Sequence, residues 1–255
     1  MSYERSFFRD KLKVEIYRTK EEMGRGAAGF VAGKIVIALK ERGHANIILG
    51  TGASQYPFLN AFLKKDLDWK NINLFHLDEY IGLTDQHPAS FRKFLKDRVT
   101  DIVKPGKVFY LNGNSNDIRS EIERYSKLLK DNPADVACIG IGENGHIAFN
   151  DPAFADFNDR DYLKVVEMDQ ACRKQQVGEG WFPSIDDVPA KAITLTIPAI
   201  MDSKVISCTV PDERKATAVF NTLTGEITES CPATVLRTHS EAVLFLDNYA
   251  AARIK

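Results

Sequence analysis

The chain has 255 residues, 44% of them hydrophobic, and its 34 Lys and Arg against 35 Asp and Glu leave a formal net charge of −1. That length and content allow a sizeable core, and no basic stretch interleaved with aromatics supplies the electrostatic footprint of a nucleic-acid binder. No apolar run approaches the roughly 20 residues of a membrane span, and the charged start MSYERSFFRDKLK has no signal-peptide core, so a small polar ligand and a cytoplasmic setting are expected.

In chain order, the strand-like run KVEIYR (13–18) precedes a helix-like segment over 20–41, and NIILG (46–50) precedes another over 54–65. NINLFHL (71–77) is followed by helical patterning over 88–103, with Ser90 as a start signal, and KVFYL (107–111) by 116–130, with Asn116 and Asp117 as starts. ADVACIGI (134–141), YLKVV (162–166), AITLT (192–196), KVISCTV (204–210), a helix over 212–223 and AVLFL (242–246) complete the series. Most of these runs are near-continuous Val, Ile and Leu, the pattern of strands covered on both faces. Strands alternating with helices imply right-handed βαβ units. The expected fold is therefore α/β, a doubly wound, mainly parallel Rossmann-like sheet with helices on both faces. No linker, repeat or low-complexity tract divides the chain, so residues 1–255 form one domain.

In such a sheet the ligand sits at the carboxyl ends of strands, near a topological switch point. Four strand ends carry candidate chemistry. GTGAS (50–54) opens a helix, where amides favour an anion, although the same residues suit a tight turn with Ser54 as N-cap. It has no P-loop lysine, which argues against a nucleoside triphosphate. HLDEYIGL (76–83) puts Asp78 and Glu79 at a strand end, either as solvated charges or as a base for a proton on carbon next to a carbonyl. GIGENGHIAFNDP (140–152) holds His146, with Asn144 before it and Asp151 after it, as a proton shuttle or as a histidine that ties down a turn. No second histidine or HxxxH spacing accompanies it, so no metal is expected. PDERKATAVFNTL places Lys215 where a phosphate could be neutralised, and Arg173 in DQACRKQQ adds a fork for the same anion.

Cys138, Cys172, Cys208 and Cys231 include no CxxC pair, which argues against a zinc site or a disulfide framework; Cys138 and Cys208 fall in apolar strand runs as inert buried thiols. The segment Val177–Pro189, VGEGWFPSIDDVP, suits either a mobile lid or a surface loop.

TGAS, LDEYIGL with HPASF, GIGENGHIAFNDP, ACRKQ, DERKATAV and CPATVLRTH, in this order between residues 51 and 239, together resemble the glucosamine-6-phosphate deaminase family. The larger group also contains 6-phosphogluconolactonases, and the HIAFN wording looks like the deaminase branch. The resemblance implies that Thr51, Gly52, Ser54, Arg173 and Lys215 hold a sugar phosphate. It also implies that Asp78 is the enolisation base and that His146, assisted by Asn144 and Asp151, opens the pyranose ring. Asn144 stands where some members carry Asp, and Asp151 where Glu is usual. The implied reaction converts glucosamine 6-phosphate and water to fructose 6-phosphate and ammonia, with no cofactor. A 6-phosphogluconolactone hydrolase and a sugar-phosphate-binding regulator without catalysis are the alternatives, and a homo-oligomer is an open expectation.

Overall fold

The computed structural model describes residues 3–254. β1 (Arg5–Arg9) and β2 (Leu12–Tyr17) form an antiparallel hairpin, and the Thr19 hydroxyl accepts from the Glu22 amide to start α1 (Lys20–Arg42). β3 (Ala45–Leu49), α2 (Tyr56–Phe62), β4 (Ile72–His76) and the short β5 (Asp78–Tyr80) follow. The helix expected over 88–103 is broken into α3 (Phe91–Leu95), a π-helical turn and α4 (Asp101–Val103). Next come β6 (Lys107–Phe109), α5 (Ile118–Asp131), β7 (Val136–Ile139), β8 (Leu163–Glu167), α6 (Gln170–Gly178), β9 (Lys191–Leu195) and α7 (Ile197–Met201). β10 (Val205–Val210), α8 (Ala216–Thr224) and β11 (Ala242–Asp247) end the chain. Ser90 and Asp117 cap α3 and α5, as their sequence positions indicate.

The main sheet has eight strands in the order β1-β2-β11-β10-β7-β3-β4-β6. Every neighbouring pair is parallel except the β1–β2 hairpin, so the doubly wound expectation is borne out. Two runs depart from it. β8 and β9 lie outside this sheet and pair antiparallel, with β5, in a separate three-stranded sheet. The burial pattern of β8 explains the difference: Val165 is 41% exposed, so one face of this strand meets solvent, which antiparallel sheets tolerate and buried parallel ones do not.

Alternate side chains of β3 serve opposite faces. Ile47 and Leu49 pack with Met23, Val31, Ile35 and Phe58 of α1 and α2. Ile48 packs with Tyr125 and Leu129 of α5 and with the residues around α7 and α8. From β3 the chain moves outward through β4 and β6, then returns to the other side of β3 with β7, β10 and β11. The order therefore reverses between β3 and β7, and the crevice lies where Gly50 and Gly140 leave those two strands.

Candidate active site

The carboxyl ends of β10, β7, β3 and β4 surround one solvent-open cleft. Its lining includes Thr51, Gly52 and Ser54 after β3, Asp78 after β4, His146 after β7 and Lys215 after β10. Residues scattered over the sequence converge because parallel strands all point their loops to the same edge.

Asp78 and Glu79 diverge. Glu79 is fully buried, and its carboxylate accepts from the amides of Tyr80 (2.9 Å), Phe91 (3.1 Å) and Arg92 (2.9 Å) and from the Ser90 hydroxyl (2.8 Å). It ties β5 to the start of α3 and has no hydrogen-bonding capacity left for a substrate. Asp78 lines the cleft, is 6% exposed, and has no hydrogen-bond donor among the described residues. Burial first, and the Glu79 charge second, push its carboxyl well above the ordinary range. β5 holds it through the pairing Asp78↔Thr194, and the Leu77 carbonyl accepts from the Leu195 amide at 2.8 Å.

The loop after β7 fixes His146 from behind. Asn144 Oδ1 accepts from the His146 backbone amide (3.1 Å) and lies 2.7 Å from His146 Nδ1, while Asn144 Nδ2 donates to Asp151 Oδ1 (2.8 Å). Asp151 Oδ1 is itself 2.9 Å from Nδ1. Both neighbours of Nδ1 are acceptors, so Nδ1 carries the proton and Nε2, which has no protein partner among the described residues, presents a lone pair. Burial raises the Asp151 carboxyl, but hydrogen bonding and charge from His146, then Asn144, outweigh it, and the net displacement is downward. The loop is anchored further on, where the Phe149 amide donates to Thr194 Oγ1 (3.1 Å) and Asn150 Nδ2 donates to the Leu195 carbonyl (2.8 Å).

Gly142 explains one glycine of the GIGENGH stretch. A β-carbon there would lie 2.1, 2.2 and 2.4 Å from three atoms of the His146 ring, so the imidazole occupies the space that any side chain would need. Gly142→Ala is expected to destabilise the fold by about 1–3 kcal/mol through overpacking. It should also lower turnover by roughly tenfold, because a displacement of about an ångström at a reacting group is costly. Thermal denaturation and initial rates read the two effects separately.

Other residues of the same lining suit an anion. Gly52 has φ 98 and ψ 167, a conformation that disfavours any residue with a β-carbon, and it bends the chain into the 3₁₀ turn Ala53–Gln55. Gln55 is buried and spans three strand ends: it accepts from Thr209 Oγ1 (3.1 Å) and donates to the Ile139 carbonyl (3.5 Å). Lys215 is 5% exposed and makes neither a salt bridge nor a hydrogen bond among the described residues; burial pulls its ammonium below the ordinary range, although Glu179 and Glu143 act against this. It sits one turn beyond Asp212, a non-glycine residue at φ 77 whose amide is held by both oxygens of Asp247 at 3.2 Å. Strain of this kind, held in place by the end of β11, clusters at functional sites.

Arg173 does not join this group. Its Nη2 donates to the carbonyls of Ile185 (2.6 Å) and Val188 (3.3 Å), and the side chain is not part of the cleft lining. The segment that follows is packed down: Phe182 and Val188 are buried beside Tyr80, and Trp181 meets Phe94 edge to face.

The family model described as glucosamine-6-phosphate isomerases/6-phosphogluconolactonase matches residues 18–245. The chain belongs to this family. A Streptococcus pneumoniae protein named glucosamine-6-phosphate deaminase is 35% identical over 228 residues, 89% of this chain and 94% of its own. Its namesake from Streptococcus equi subsp. equi is 32% identical over 244 residues, 94% and 100% of the two chains. A solved structure described as a monomeric glucosamine-6-phosphate deaminase superposes with a TM-score of 0.85 at 33% identity, covering 94% of this chain and 98% of the other. A putative 6-phosphogluconolactonase from Neisseria gonorrhoeae, at 20% identity and TM-score 0.72 with 92% and 98% coverage, shares the fold.

Within this glucosamine-6-phosphate isomerase/6-phosphogluconolactonase fold, sequence reasoning passed over Gln55, which braces the cleft, and the structural role of Glu79 behind it. Gln55 directly follows GTGAS, but nothing local reveals that it reaches two other strands. Three of the four donors to Glu79 come from the next helix start, where Ser90 was the visible signal.

Proposed function

We propose that this protein is an aldose–ketose isomerising deaminase, converting glucosamine 6-phosphate and water to fructose 6-phosphate and ammonia. The observation that carries the reading is the set of groups lining one cleft: a buried ammonium without an ion-pair partner, a buried carboxylate without a donor, and an imidazole of fixed tautomer. A sugar phosphate brings the groups they suit, a dianion and a reacting anomeric carbon.

Lys215 and the turn formed by Thr51, Gly52 and Ser54 bind the phosphate in this scheme. Binding energy from that remote group orients C1 and C2. His146 Nε2 accepts the proton of the anomeric hydroxyl and returns it to the ring oxygen, which opens the pyranose. Asp151 and Asn144 hold the Nδ1 proton and stabilise the transient imidazolium. Asp78 then takes the proton from C2 and delivers it to C1, giving the 2-imine of the ketose. Water adds to that imine and ammonia leaves. Every step is a proton transfer or a hydration. Arg173 joins the phosphate contacts only after the 185–188 carbonyls release it, a rearrangement of the segment 177–189.

Parallel assays of the folded protein with millimolar glucosamine 6-phosphate and with 6-phosphogluconolactone test the reading. Ammonia and fructose 6-phosphate in stoichiometric yield are expected from the first substrate. Lactone hydrolysis without ammonia release would replace this reading by the hydrolase, and ligand-induced thermal stabilisation without either product would replace it by a binding protein.

A further inference from the structure

Beside His146 the fold brings in a third side chain that the deaminase scheme does not use. Cys172 on α6 is 1% exposed, and its sulfur lies with a ligand atom of His146 and one of Asp151 in a group whose members are all within 4.8 Å of one another. The three residues are buried and offer a nitrogen, a carboxylate oxygen and a sulfur. Asp151 Oδ2 is buried and no nitrogen or oxygen donor among the described residues engages it, since Asn144 and His146 both meet Oδ1. Four-coordinate zinc has bonds of about 2.0–2.3 Å, which put its ligand atoms roughly 3.3–3.8 Å apart, so contraction by about an ångström closes this set on an ion.

We propose that His146 Nδ1, Asp151 Oδ2 and Cys172 Sγ form an inhibitory site for Zn²⁺, with water as the fourth ligand. The donor set suits zinc, because imidazole, thiolate and carboxylate are its ordinary ligands and calcium or magnesium would reject the sulfur. The surroundings favour a cation, since the carboxylates of Asp151, Asp169 and Asp78 all act on the Cys172 sulfur and Asp151 also hydrogen-bonds it. A bound divalent ion offsets those charges, and the thiol gives its proton to solvent.

Inhibition follows from the tautomer. To ligate through Nδ1, His146 must vacate the proton it now shares with Asn144 and Asp151, and the neutral ring takes a proton at Nε2 instead. The cleft nitrogen then has no lone pair for the sugar hydroxyl, and Asp151 is no longer free to stabilise an imidazolium. The ion thus blocks proton transfer through the state of the His146 ring. The sequence hides the site because Cys172 arrives from a different element.

The test uses the intact protein with Zn²⁺ or Co²⁺ alone. Micromolar Zn²⁺ is expected to abolish turnover, and a chelator to restore it. Cys172→Ser, which removes no group of the catalytic scheme, is expected to keep basal turnover and to need about tenfold more Zn²⁺ or more for half-inhibition. Co²⁺ should give thiolate-to-cobalt charge-transfer absorption with the visible bands of four-coordinate cobalt. That spectrum should vanish in Cys172→Ser and in Cys172→Ala and persist in Cys231→Ser. The spectrum needs no substrate, so it stands apart from the outcome of the deaminase assay. Absence of the charge-transfer band in the wild type, or its survival in both Cys172 variants, overturns the site.

Discussion

Asp78→Asn is expected to lower kcat by about 10²–10⁴-fold, the range that a positioned general base contributes. KM should stay near the wild-type value, because the proposed phosphate contacts come from the ends of β3 and β10 and not from β5. The amide matches the carboxylate in size but cannot accept the C2 proton, so exchange of that proton with solvent deuterium should fall in step with ammonia release. The same variant makes a prediction about stability with the opposite sign. Asp78 is buried without a donor, and burial with Glu79 raises its folded pKa. A raised carboxyl favours folding only while protonated, and that contribution is lost as pH rises through the folded pKa. Above the ordinary carboxylate range the wild type therefore bears a cost, of a buried charge or of a proton held against solvent, that the amide does not. Asp78→Asn should melt at a higher temperature at pH 7, with the gap closing as the pH falls towards the ordinary carboxylate range. The raised pKa also places the acid limb of kcat/KM above that range. A variant that keeps wild-type turnover would remove Asp78 from the role of base.

Asp151→Asn is expected to lower kcat by about 10²-fold or more, through the state of the histidine and not through binding. In the wild type both groups around Nδ1 accept, which fixes the proton there. The variant replaces an acceptor-only carboxylate with an amide whose NH₂ can turn towards Nδ1, and it removes the charge that stabilises an imidazolium. Ring-¹⁵N chemical shifts of His146 should then show the Nε2–H tautomer gaining population. A purely structural role for Asp151 would leave those shifts unmoved. Stability should respond as well. The Asp151 carboxyl is held below its ordinary range despite burial, so its contribution is complete above that range and lost as pH falls through the lowered folded pKa. The wild type should thus lose its advantage over Asp151→Asn in acid.

The second prediction bears on one of the two positions, 144 and 151, where this chain reads Asn and Asp while the family resemblance leads one to expect Asp and Glu. The shorter Asp151 side chain still reaches Nδ1 at 2.9 Å, and Asn144 faces the same nitrogen with its carbonyl oxygen while its amide steadies Asp151. An amide at 144 is well suited to this geometry, because its two ends satisfy two partners of opposite hydrogen-bonding character.

The strand runs at 46–50, 134–141 and 204–210 were legible because a strand buried on both faces must be apolar throughout, and periodicity reports that directly. GTGAS, LDEY and GENGH were legible as strand ends for the same reason: small and charged residues interrupt apolar runs where the chain leaves the sheet. That β8 and β9 form a separate antiparallel sheet was not legible, since a short apolar run does not say which neighbour it pairs with. Nor could the sequence separate Asp78 from Glu79. Adjacent residues on a strand point to opposite sides, and only the packing of α3 against β5 shows which side holds four donors and which holds the cleft.

Local composition therefore determined the elements, the fold class and the short list of polar residues at strand ends, because these depend on what each residue's own backbone and hydrophobicity allow. The tertiary structure alone decided which of those residues meet: Lys215, Asp78 and His146 in one cleft, Arg173 turned onto the carbonyls of Ile185 and Val188, and Cys172 brought from α6 to Asp151. Such meetings are set by strand order and crossover connections, which join residues far apart in the chain and leave no trace in the sequence around any one of them.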